Sequence, residues 1–270
     1  MEIYHFSGAG NDFVVIDGRE GDVSAFREVP RIQALCKEYR TDGLMILGSG
    51  DASVDFTMEF YNPDGSGGMM CGNGGRCIVA FADYLGIRPS CHPELAEGSY
   101  LFRAPDGLHT GEILARPEDG LWEVRIKMID VQGITPMLGG YFLNTGTRHF
   151  VKFVEDVEKV DIDTEGKALR WNEAFAPVGT NVNFVHVAPD GLHVRTFEKG
   201  VEGETLACGT GLTACALVAH HAGVPTATPG AYRLRARQDW LSVNFTPGAD
   251  EKFTDVYLTG PARLVRVYGV

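Results

Sequence analysis

The sequence predicts an α+β protein in which one architecture is used twice. Three features of the chain favour this class: many short segments in which apolar and polar residues alternate, two longer segments that are apolar on nearly every side, and an internal repeat. Alternation is typical of half-buried strands, whereas an all-apolar segment suits a helix buried on every side. We therefore expect central helices wrapped by mostly antiparallel strands.

The internal repeat keeps a constant offset of 137 residues. This offset relates Cys208 to Cys71, Gly209 to Gly72, Gly211 to Gly74, Gly223 to Gly86, Phe197 to Phe60 and Phe150 to Phe13. Chance matching of glycines would not also keep cysteines and phenylalanines in register. The repeat therefore predicts two similar domains, residues 1–135 with the Cys71 helix and residues 136–270 with the Cys208 helix. Their join is expected near residues 130–142, with a C-terminal strand that could cross back.

The alternating segments place the strands in order along the chain. In the first half they are "FVVID", "LMIL", "FTMEFY" and, near the join, "WEVRIKM". In the second half they are "HFVKFV", "NFVHV", "LHVRTF", "LSVNF", "DVYLTG" and "RLVRVYG". The two all-apolar segments, "CIVAFADYLG" and "ACALVAHHAG", are the predicted helices, and Gly86 and Gly223 are expected to end them as C′ residues.

Length and charge limit the classes of function. A chain of 270 residues with 44% hydrophobic residues suits two domains with buried cores. The formal net charge of −12 argues against a nucleic-acid or membrane-surface partner, because such surfaces need basic clusters. The N-terminal sequence lacks the regions of a signal peptide, and no apolar run is long enough to span a membrane. We expect a cytoplasmic protein that binds a small molecule.

The cysteines are the chemically informative residues. They stand at positions 36, 71, 77, 91, 208 and 215, and in a reducing cytosol we expect thiols. The spacing in "CGNGGRC" and "CGTGLTAC" is wider than that of a zinc knuckle, so no metal site is predicted. Cys77 and Cys215 fall inside the apolar helices and are expected to be buried filling residues.

Cys71 and Cys208 each stand where a glycine-rich turn leads into a predicted helix. A helix N-terminus carries unsatisfied N–H groups and a partial positive charge, so it lowers the pKa of a thiol placed there. The glycines allow a ligand to approach the backbone closely, and the N–H groups can then hold a carboxylate. Each cysteine is therefore predicted to be a reactive thiol beside an anion-binding turn.

Two such thiols, related by the repeat, predict a narrower chemistry than one. If the two halves close face to face, the sulfurs lie on opposite sides of one cleft, where one can remove a proton and the other can return one. A stereocentre is inverted in this way without a cofactor. Other motifs have less support, because the chain has no complete dinucleotide fingerprint, no phosphate-binding P-loop and no nucleophile elbow.

Three longer motifs resemble those of a known family: "GAGNDFVVID", "FYNPDGSGGMMCGNGGRC" and "EGETLACGTG". Together they are similar to the signatures of the diaminopimelate epimerase family, and the resemblance extends over essentially the whole chain. It implies two α+β domains, each a mostly antiparallel strand barrel around a central helix, with the active site in the cleft between them. It also implies an amino-acid epimerase that needs no cofactor.

The same resemblance assigns roles to individual residues. Cys71 and Cys208 match the proton-transferring pair. The residues that match the backbone donors to the substrate α-carboxylate are Gly72, Asn73, Gly209 and Thr210. The residues that match contacts with the distal end of the substrate are Asn11, Asn62 and Asn181. Glu198 and Lys199 are also expected to bind substrate, and Glu198, with His149, matches the polar neighbours of the thiols. His149 and Thr147 are expected to lie beside the residues that contact the substrate. For each asparagine the alternative is an ordinary turn residue, and for His149 it is a surface or strand histidine.

The chain departs from the family pattern at three places. Thr147 stands where the family usually has asparagine, and Lys199 stands where it has arginine. An arginine binds a carboxylate with two parallel N–H groups, whereas lysine offers a point charge. The segment around Thr41 is about four residues shorter than the loop that the resemblance leads us to expect. These differences concern recognition of the distal end of the substrate.

We therefore predict interconversion of LL- and meso-diaminopimelate, a step toward lysine and peptidoglycan, by proton transfer between two thiols. The alternatives are a related amino-acid racemase with another substrate, a thiol-redox protein, or a binding protein of the same fold without turnover. The partner is expected to be a small amino acid, with no nucleic acid or membrane involved, and a homodimer is left open.

Overall fold

A computed structural model describes residues 2–68, 70–90, 95 and 98–269. Cys91 lies outside the described residues. The helices of the described chain, short 3₁₀ and π turns aside, are α1 (Val29–Tyr39), α2 (Gly72–Tyr84), α3 (Lys167–Arg170) and α4 (Gly209–His221). The strands are β1 (Glu2–Gly8), β2 (Asn11–Asp17), β3 (Gly43–Asp51), β4 (Val54–Tyr61), β5 (Ser99–Ala104), β6 (Gly107–Glu118), β7 (Leu121–Lys127), β8 (Val131–Gln132), β9 (Thr135–Met137), β10 (Gly140–Asn144), β11 (Arg148–Phe153), β12 (Asn181–Ala188), β13 (Gly191–Glu198), β14 (Gly203–Thr205), β15 (Ala231–Arg235), β16 (Trp240–Pro247) and β17 (Lys252–Gly269).

The chain folds into two compact units. The first contains Met1–Ile126 and Gly260–Val270, and the second contains Lys127–Thr259. The sequence predicts the join near residues 130–142, with a C-terminal strand that could cross back. In the structure the chain leaves the first unit after residue 126 and returns to it at residue 260. The return is made by β17, which contains both of the predicted strands "DVYLTG" and "RLVRVYG" in one element.

In the first unit, hydrogen-bonded strands form a closed ring. The order is β1, β2, β3, β4, β5, β6, β7 and the end of β17, which pairs with β7 and again with β1. The pairs β2–β3 and β4–β5 are parallel and the others are antiparallel. Because the ring closes on itself, this unit is a barrel.

The second unit repeats this order of strands. The row runs β10, β11, β12, β13, β15, β16 and the first part of β17, and the pairs β11–β12 and β13–β15 are again the parallel ones. Short strands extend the row: β9 pairs with β10, β14 with β13, and β8 with β17. The two units therefore share one topology, as the 137-residue repeat predicts.

One buried helix lies at the centre of each unit. Helix α2 packs against β1, β2, β3 and β6, and α4 packs against β10, β11, β12, β13, β15 and β16. The bounds of α4 are those of α2 plus 137 at both ends. Both helices are followed by a glycine with positive φ, Gly86 and Gly223, as expected of C′ residues. These observations confirm the α+β class and the two similar units built around central helices.

In the part of the chain that the structure describes, no helix is both long and apolar enough to cross a membrane.

Strand β1 approaches the first turn of α2 so closely that a side chain would not fit between them. A Cβ atom on Gly8 would lie 2.7 Å from the backbone oxygen of Asn73 and 2.9 Å from Cys77 Sγ. Both distances are shorter than a van der Waals contact. The position of the Cys71 helix against its barrel therefore depends on glycine at residue 8.

We expect Gly8→Ala to lower the free energy of unfolding by about 1–3 kcal/mol, because the buried contact between β1 and α2 must open. The matched control is Gly67→Ala, where the new Cβ would have nothing within 4 Å. Urea unfolding of both variants and the unmodified protein measures the difference. Equal stability of the two variants would contradict the proposed contact.

Candidate active site

Cys71 is the residue that caps the N-terminus of α2. Its backbone is extended, with φ −103° and ψ 152°, and its sulfur accepts a hydrogen bond from the N–H of Gly74 at 3.2 Å. The side chain is exposed, whereas Gly72 and Asn73 after it are buried. A backbone donor directed at sulfur, together with the positive end of the helix dipole, favours negative charge on that sulfur. The structure therefore places an accessible thiol where a thiolate is stabilised.

A chain of side-chain hydrogen bonds, buried at Arg76 and Asn73, supports this first turn. The guanidinium of Arg76 donates to the Gly72 carbonyl at 3.1 Å and to Asn73 Oδ1 at 2.8 Å. Asn73 Nδ2 in turn donates to Asn11 Oδ1, and Asn11 Nδ2 donates to Asp42 Oδ2 at 3.2 Å. The structure thus brings the predicted residues Asn11 and Asn73 together beside the Cys71 helix.

Asn62 lies apart from that chain, in a tight turn of its own. Its backbone N–H donates to the Ser66 carbonyl, its carbonyl accepts from Gly65, and its side-chain amide donates to Ser66 Oγ at 3.0 Å. This arrangement fits the ordinary role of asparagine in turns. Contact between Asn62 and a substrate stays a prediction.

Cys208 caps α4 in the second unit but makes different contacts. Its backbone is again extended, with φ −118° and ψ 107°, and its side chain accepts no capping bond from the helix. The sulfur lies 3.5 Å from the hydroxyl of Thr210, and the residue is buried, with 9% of its surface exposed. The two related cysteines therefore occupy equivalent backbone positions with unlike hydrogen-bond partners.

A polar cluster of one buried histidine and two more accessible threonines lies beside Cys208. His149 Nε2 is 2.9 Å from Thr147 Oγ1 and 3.0 Å from Thr210 Oγ1, and these two hydroxyls are 3.1 Å apart. His149 is fully buried, and this burial lowers its pKa to about 3. At neutral pH His149 is therefore an uncharged hydrogen-bonding group rather than a cation. The structure places His149 and Thr147 next to the second thiol.

Asn181 and Glu198 lie on the neighbouring strands β12 and β13, and Lys199 begins the turn that follows β13. The Asn181 amide donates to the Arg148 carbonyl at 3.1 Å, and its oxygen accepts from the backbone N–H of Lys199 at 2.8 Å. The carboxylate of Glu198 accepts from Thr205 Oγ1 at 2.9 Å. Lys199 is exposed. Asn181 therefore fixes the start of the turn that carries Lys199.

The other helical cysteines are buried, as their positions in the apolar segments suggested. Cys77 and Cys215 are both 0% exposed, and burial raises the pKa of each thiol well above its ordinary value. A thiol that stays protonated and buried is chemically inert. These residues are interior filling.

Sequence reasoning missed three residues that hold the site in place: Arg76, Asp42 and Asn183. Arg76 is fully buried. From the sequence, its segment is interpreted by the cysteines and glycines, and Arg76 is given no role. Asn183 is fully buried on β12, two residues after Asn181 and therefore on the same face of that strand. A polar residue at an interior position of an otherwise apolar strand is the signal that could have identified it.

Known proteins similar to this chain agree on one family. The diaminopimelate epimerase family profile matches residues 3–104 and 141–265. The diaminopimelate epimerase of Chlorobaculum tepidum is 39% identical over 268 residues, which cover 96% of this chain and 97% of that relative. The diaminopimelate epimerase of Aquifex aeolicus is 38% identical, with 96% and 94% covered. This chain belongs to the diaminopimelate epimerase family.

Solved structures with low sequence identity share the fold of this family member. A PhzF-family phenazine biosynthesis protein from Bacillus anthracis has a TM-score of 0.73 at 13% identity, covering 100% of this chain and 98% of that one. A hydroxyproline epimerase from Agrobacterium vitis has a TM-score of 0.65 at 16% identity, with 99% and 91% covered. At these identities the comparison concerns architecture alone.

The burial of His149 predicts a pH dependence of stability. Its folded pKa of about 3 lies below the ordinary value of 6.5, so below pH 6.5 the unfolded chain binds a proton that the folded chain does not. The free energy of unfolding should therefore decrease as the pH is lowered below 6.5, by up to about 1.4 kcal/mol per pH unit from this group.

We expect the pH dependence to be shallower by about one proton in His149→Gln than in the unmodified protein. Urea unfolding at several values between about pH 7 and pH 5 measures both slopes. Parallel curves would show that His149 is not the neutral buried group described above.

Proposed function

We propose that this protein interconverts LL- and meso-diaminopimelate, with Cys71 and Cys208 as the two proton-transferring groups. The observation that carries the proposal is that each of two similar units has a cysteine at the N-cap of its buried central helix. Membership of the diaminopimelate epimerase family and the names of its close relatives support the choice of substrate.

The proposed reaction needs only proton transfers. One cysteine, as the thiolate, removes the proton from the substrate α-carbon and becomes a thiol, which leaves a planar carbanion. The other cysteine, as the thiol, donates its proton to the opposite face and becomes a thiolate. The sulfurs exchange roles in the reverse direction, so each acts once as acid and once as base. The proposal requires the two sulfurs to approach opposite faces of one carbon.

Backbone N–H groups at the helix starts are proposed to hold the α-carboxylate. A helix leaves its first N–H groups to bind partners outside it, and these groups favour a negative charge. At the two thiols they belong to Gly72 and Asn73, and to Gly209 and Thr210. The side chain of Asn73 is bonded to Arg76 and Asn11, so this turn is held in one position before a ligand binds.

A related racemase with a different amino-acid substrate is the alternative. Thr147 and Lys199 differ from the family pattern, and Thr147 is bonded to His149 and to the hydroxyl of Thr210. A short hydroxyl engaged in this way reaches less far toward a substrate than an asparagine amide. We therefore propose diaminopimelate as the preferred substrate, with weaker selection at its distal end than the family pattern implies.

Deuterium incorporation tests the two-thiol mechanism. In D₂O, starting from one stereoisomer, the product should carry deuterium at the α-carbon while substrate recovered early in the reaction carries almost none. A single base would return label to the substrate as well. Mass spectrometry of both stereoisomers after partial conversion measures this ratio, and equal early labelling would exclude the mechanism.

Replacing either Cys71 or Cys208 by alanine should lower kcat/KM by about 10²–10⁴-fold in both directions, since each sulfur is needed as acid and as base. The matched controls are Cys77→Ala and Cys215→Ala, which remove buried sulfurs from the same two helices and should lower stability more than rate. Loss of rate in only one direction would contradict the proposed exchange of roles.

Lys199→Arg tests the distal selection. Arginine can bind a carboxylate through two N–H groups, so kcat/KM for LL-diaminopimelate relative to lysine should rise about tenfold, the value of one charge-assisted hydrogen bond. Lys37→Arg, at an exposed position on α1, is the control and should leave the ratio unchanged. Faster turnover of a monocarboxylic amino acid such as histidine or proline by the unmodified enzyme would favour the alternative racemase.

A further inference from the structure

A chain of hydrogen bonds runs through the second unit from Thr196 to Cys208. Thr196 Oγ1 donates to Asn183 Oδ1 at 2.9 Å, and Asn183 Nδ2 lies 3.1 Å from His149 Nδ1. From His149 the chain continues through the hydroxyls of Thr147 and Thr210 to Cys208 Sγ, 3.5 Å from Thr210 Oγ1. Asn183, His149 and Thr196 are all buried, so their protons must be accounted for within this chain.

The orientation of the Asn183 amide is fixed by its neighbours. Its second contact is with the carbonyl oxygen of Phe150 at 3.1 Å, and a carbonyl can only accept. The nitrogen must therefore be on that side, and the oxygen faces the Thr196 hydroxyl. The same nitrogen faces His149 Nδ1, so Nδ1 has to be the accepting, unprotonated nitrogen of the ring.

The position of the His149 proton follows from this orientation. A neutral imidazole carries one N–H, and with Nδ1 accepting, the proton is on Nε2. Burial keeps this ring neutral, because it lowers the pKa to about 3. Nε2 therefore donates toward the hydroxyls of Thr147 and Thr210.

The Thr210 hydroxyl lies between the His149 ring and the sulfur of Cys208. Thr147 Oγ1 lies 2.9 Å from His149 Nε2 and 3.1 Å from Thr210 Oγ1, and as an exposed hydroxyl it can also bond to water. Thr210 Oγ1 accepts the Nε2 proton of His149, so its own proton is left to point to Cys208 Sγ. The whole chain is polarised from Asn183 toward the sulfur.

We infer that Asn183 is a positioning residue that sets the direction of this chain, so that the Thr210 hydroxyl donates a hydrogen bond to Cys208. A donated hydrogen bond favours the thiolate form of a cysteine. The catalytic meaning of the inference rests on the proposed function, in which Cys208 alternates between thiolate and thiol. Asn183 acts through His149 and the hydroxyls, at a distance from the reacting atoms.

The packing of α4 shows that Asn183 lies directly beneath its first turn. A Cβ atom on Gly211 would lie 2.4 Å from Asn183 Oδ1 and 3.3 Å from Cys208 Sγ. Glycine at 211 therefore leaves room for the Asn183 amide and the Cys208 thiol to pack against the same turn of α4. In the first unit the residue 137 positions earlier is Ile46, and there the sulfur receives a backbone N–H from Gly74 instead.

The test uses Asn183→Leu, which keeps the approximate volume of the side chain but removes its donors. In the unmodified protein, ¹⁵N NMR should show His149 protonated on Nε2 alone. In the variant no amide N–H faces His149 Nδ1, so a signal for the tautomer protonated on Nδ1 should appear. The rate at which iodoacetamide alkylates Cys208, followed by peptide mass spectrometry, should fall about fivefold, while the rate at Cys71 in the same sample stays unchanged.

Two further variants separate positioning from packing. Thr196→Val removes the hydroxyl that donates to Asn183 Oδ1 but leaves both amide donors, so it should keep the Nε2 tautomer and the Cys208 rate. Thr210→Val removes the last donor, so it should slow Cys208 alkylation without changing the tautomer. The inference is overturned if Asn183→Leu leaves the Cys208 rate unchanged, or if it slows Cys208 no more than Thr196→Val does.

The spectrum of the unmodified protein also decides the question if Asn183→Leu fails to fold. His149 protonated on Nδ1 in that spectrum would overturn the inference directly. Neither readout requires turnover, so a protein that failed to epimerise diaminopimelate would leave both measurements interpretable. Failure of the proposed function and failure of this inference are therefore distinguishable.

Discussion

The site depends on how closely the first turn of each central helix approaches the strands around it. Backbone, side-chain amide and sulfur atoms meet there with no room for a further carbon, at Gly8 against Asn73 and at Gly211 against Asn183. Polar side chains buried beside a helix N-terminus need hydrogen-bond partners within the protein. The buried polar residues Arg76, Asn73, Asn183 and His149 meet this need, and in doing so they fix the thiols.

The two units solve the same problem with different side chains. In α2, Arg76 donates to the carbonyl of the first helical residue, Gly72, at 3.1 Å. In α4 the equivalent residue is Thr213, whose hydroxyl donates to the Gly209 carbonyl at 3.0 Å. Both residues thus donate a hydrogen bond to the carbonyl of the first helical residue, but only Arg76 carries a positive charge. The duplicated fold therefore surrounds two related thiols with unlike neighbouring groups.

Much of the candidate site could be predicted from the sequence because its chemistry is local. A cysteine followed by glycines at a helix start specifies the N-cap, the exposed N–H groups and the close approach by short-range geometry alone. Asn11, Asn183 and Arg76 differ in this respect. Asn11 reaches the Cys71 helix through Asn73, which is 62 residues away in the chain, and Asn183 reaches His149 across 34 residues. Only strand pairing and helix packing bring such residues together.

The sequence by itself determined the fold class, the duplication, part of the strands, the ends of the central helices and the positions of the two N-cap thiols, because periodicity, glycine conformation and a constant repeat are properties of the chain. Tertiary structure decided which residues support each thiol and where β17 returns to the first unit. Alternation of apolar and polar residues predicts a strand but does not show which strands pair with it. The residues next to an asparagine in the sequence likewise do not show whether it is buried or lies in a turn. The direction of the hydrogen bonds at Cys208 is the clearest case, since it follows from a carbonyl of Phe150 that lies 33 residues from the amide it orients.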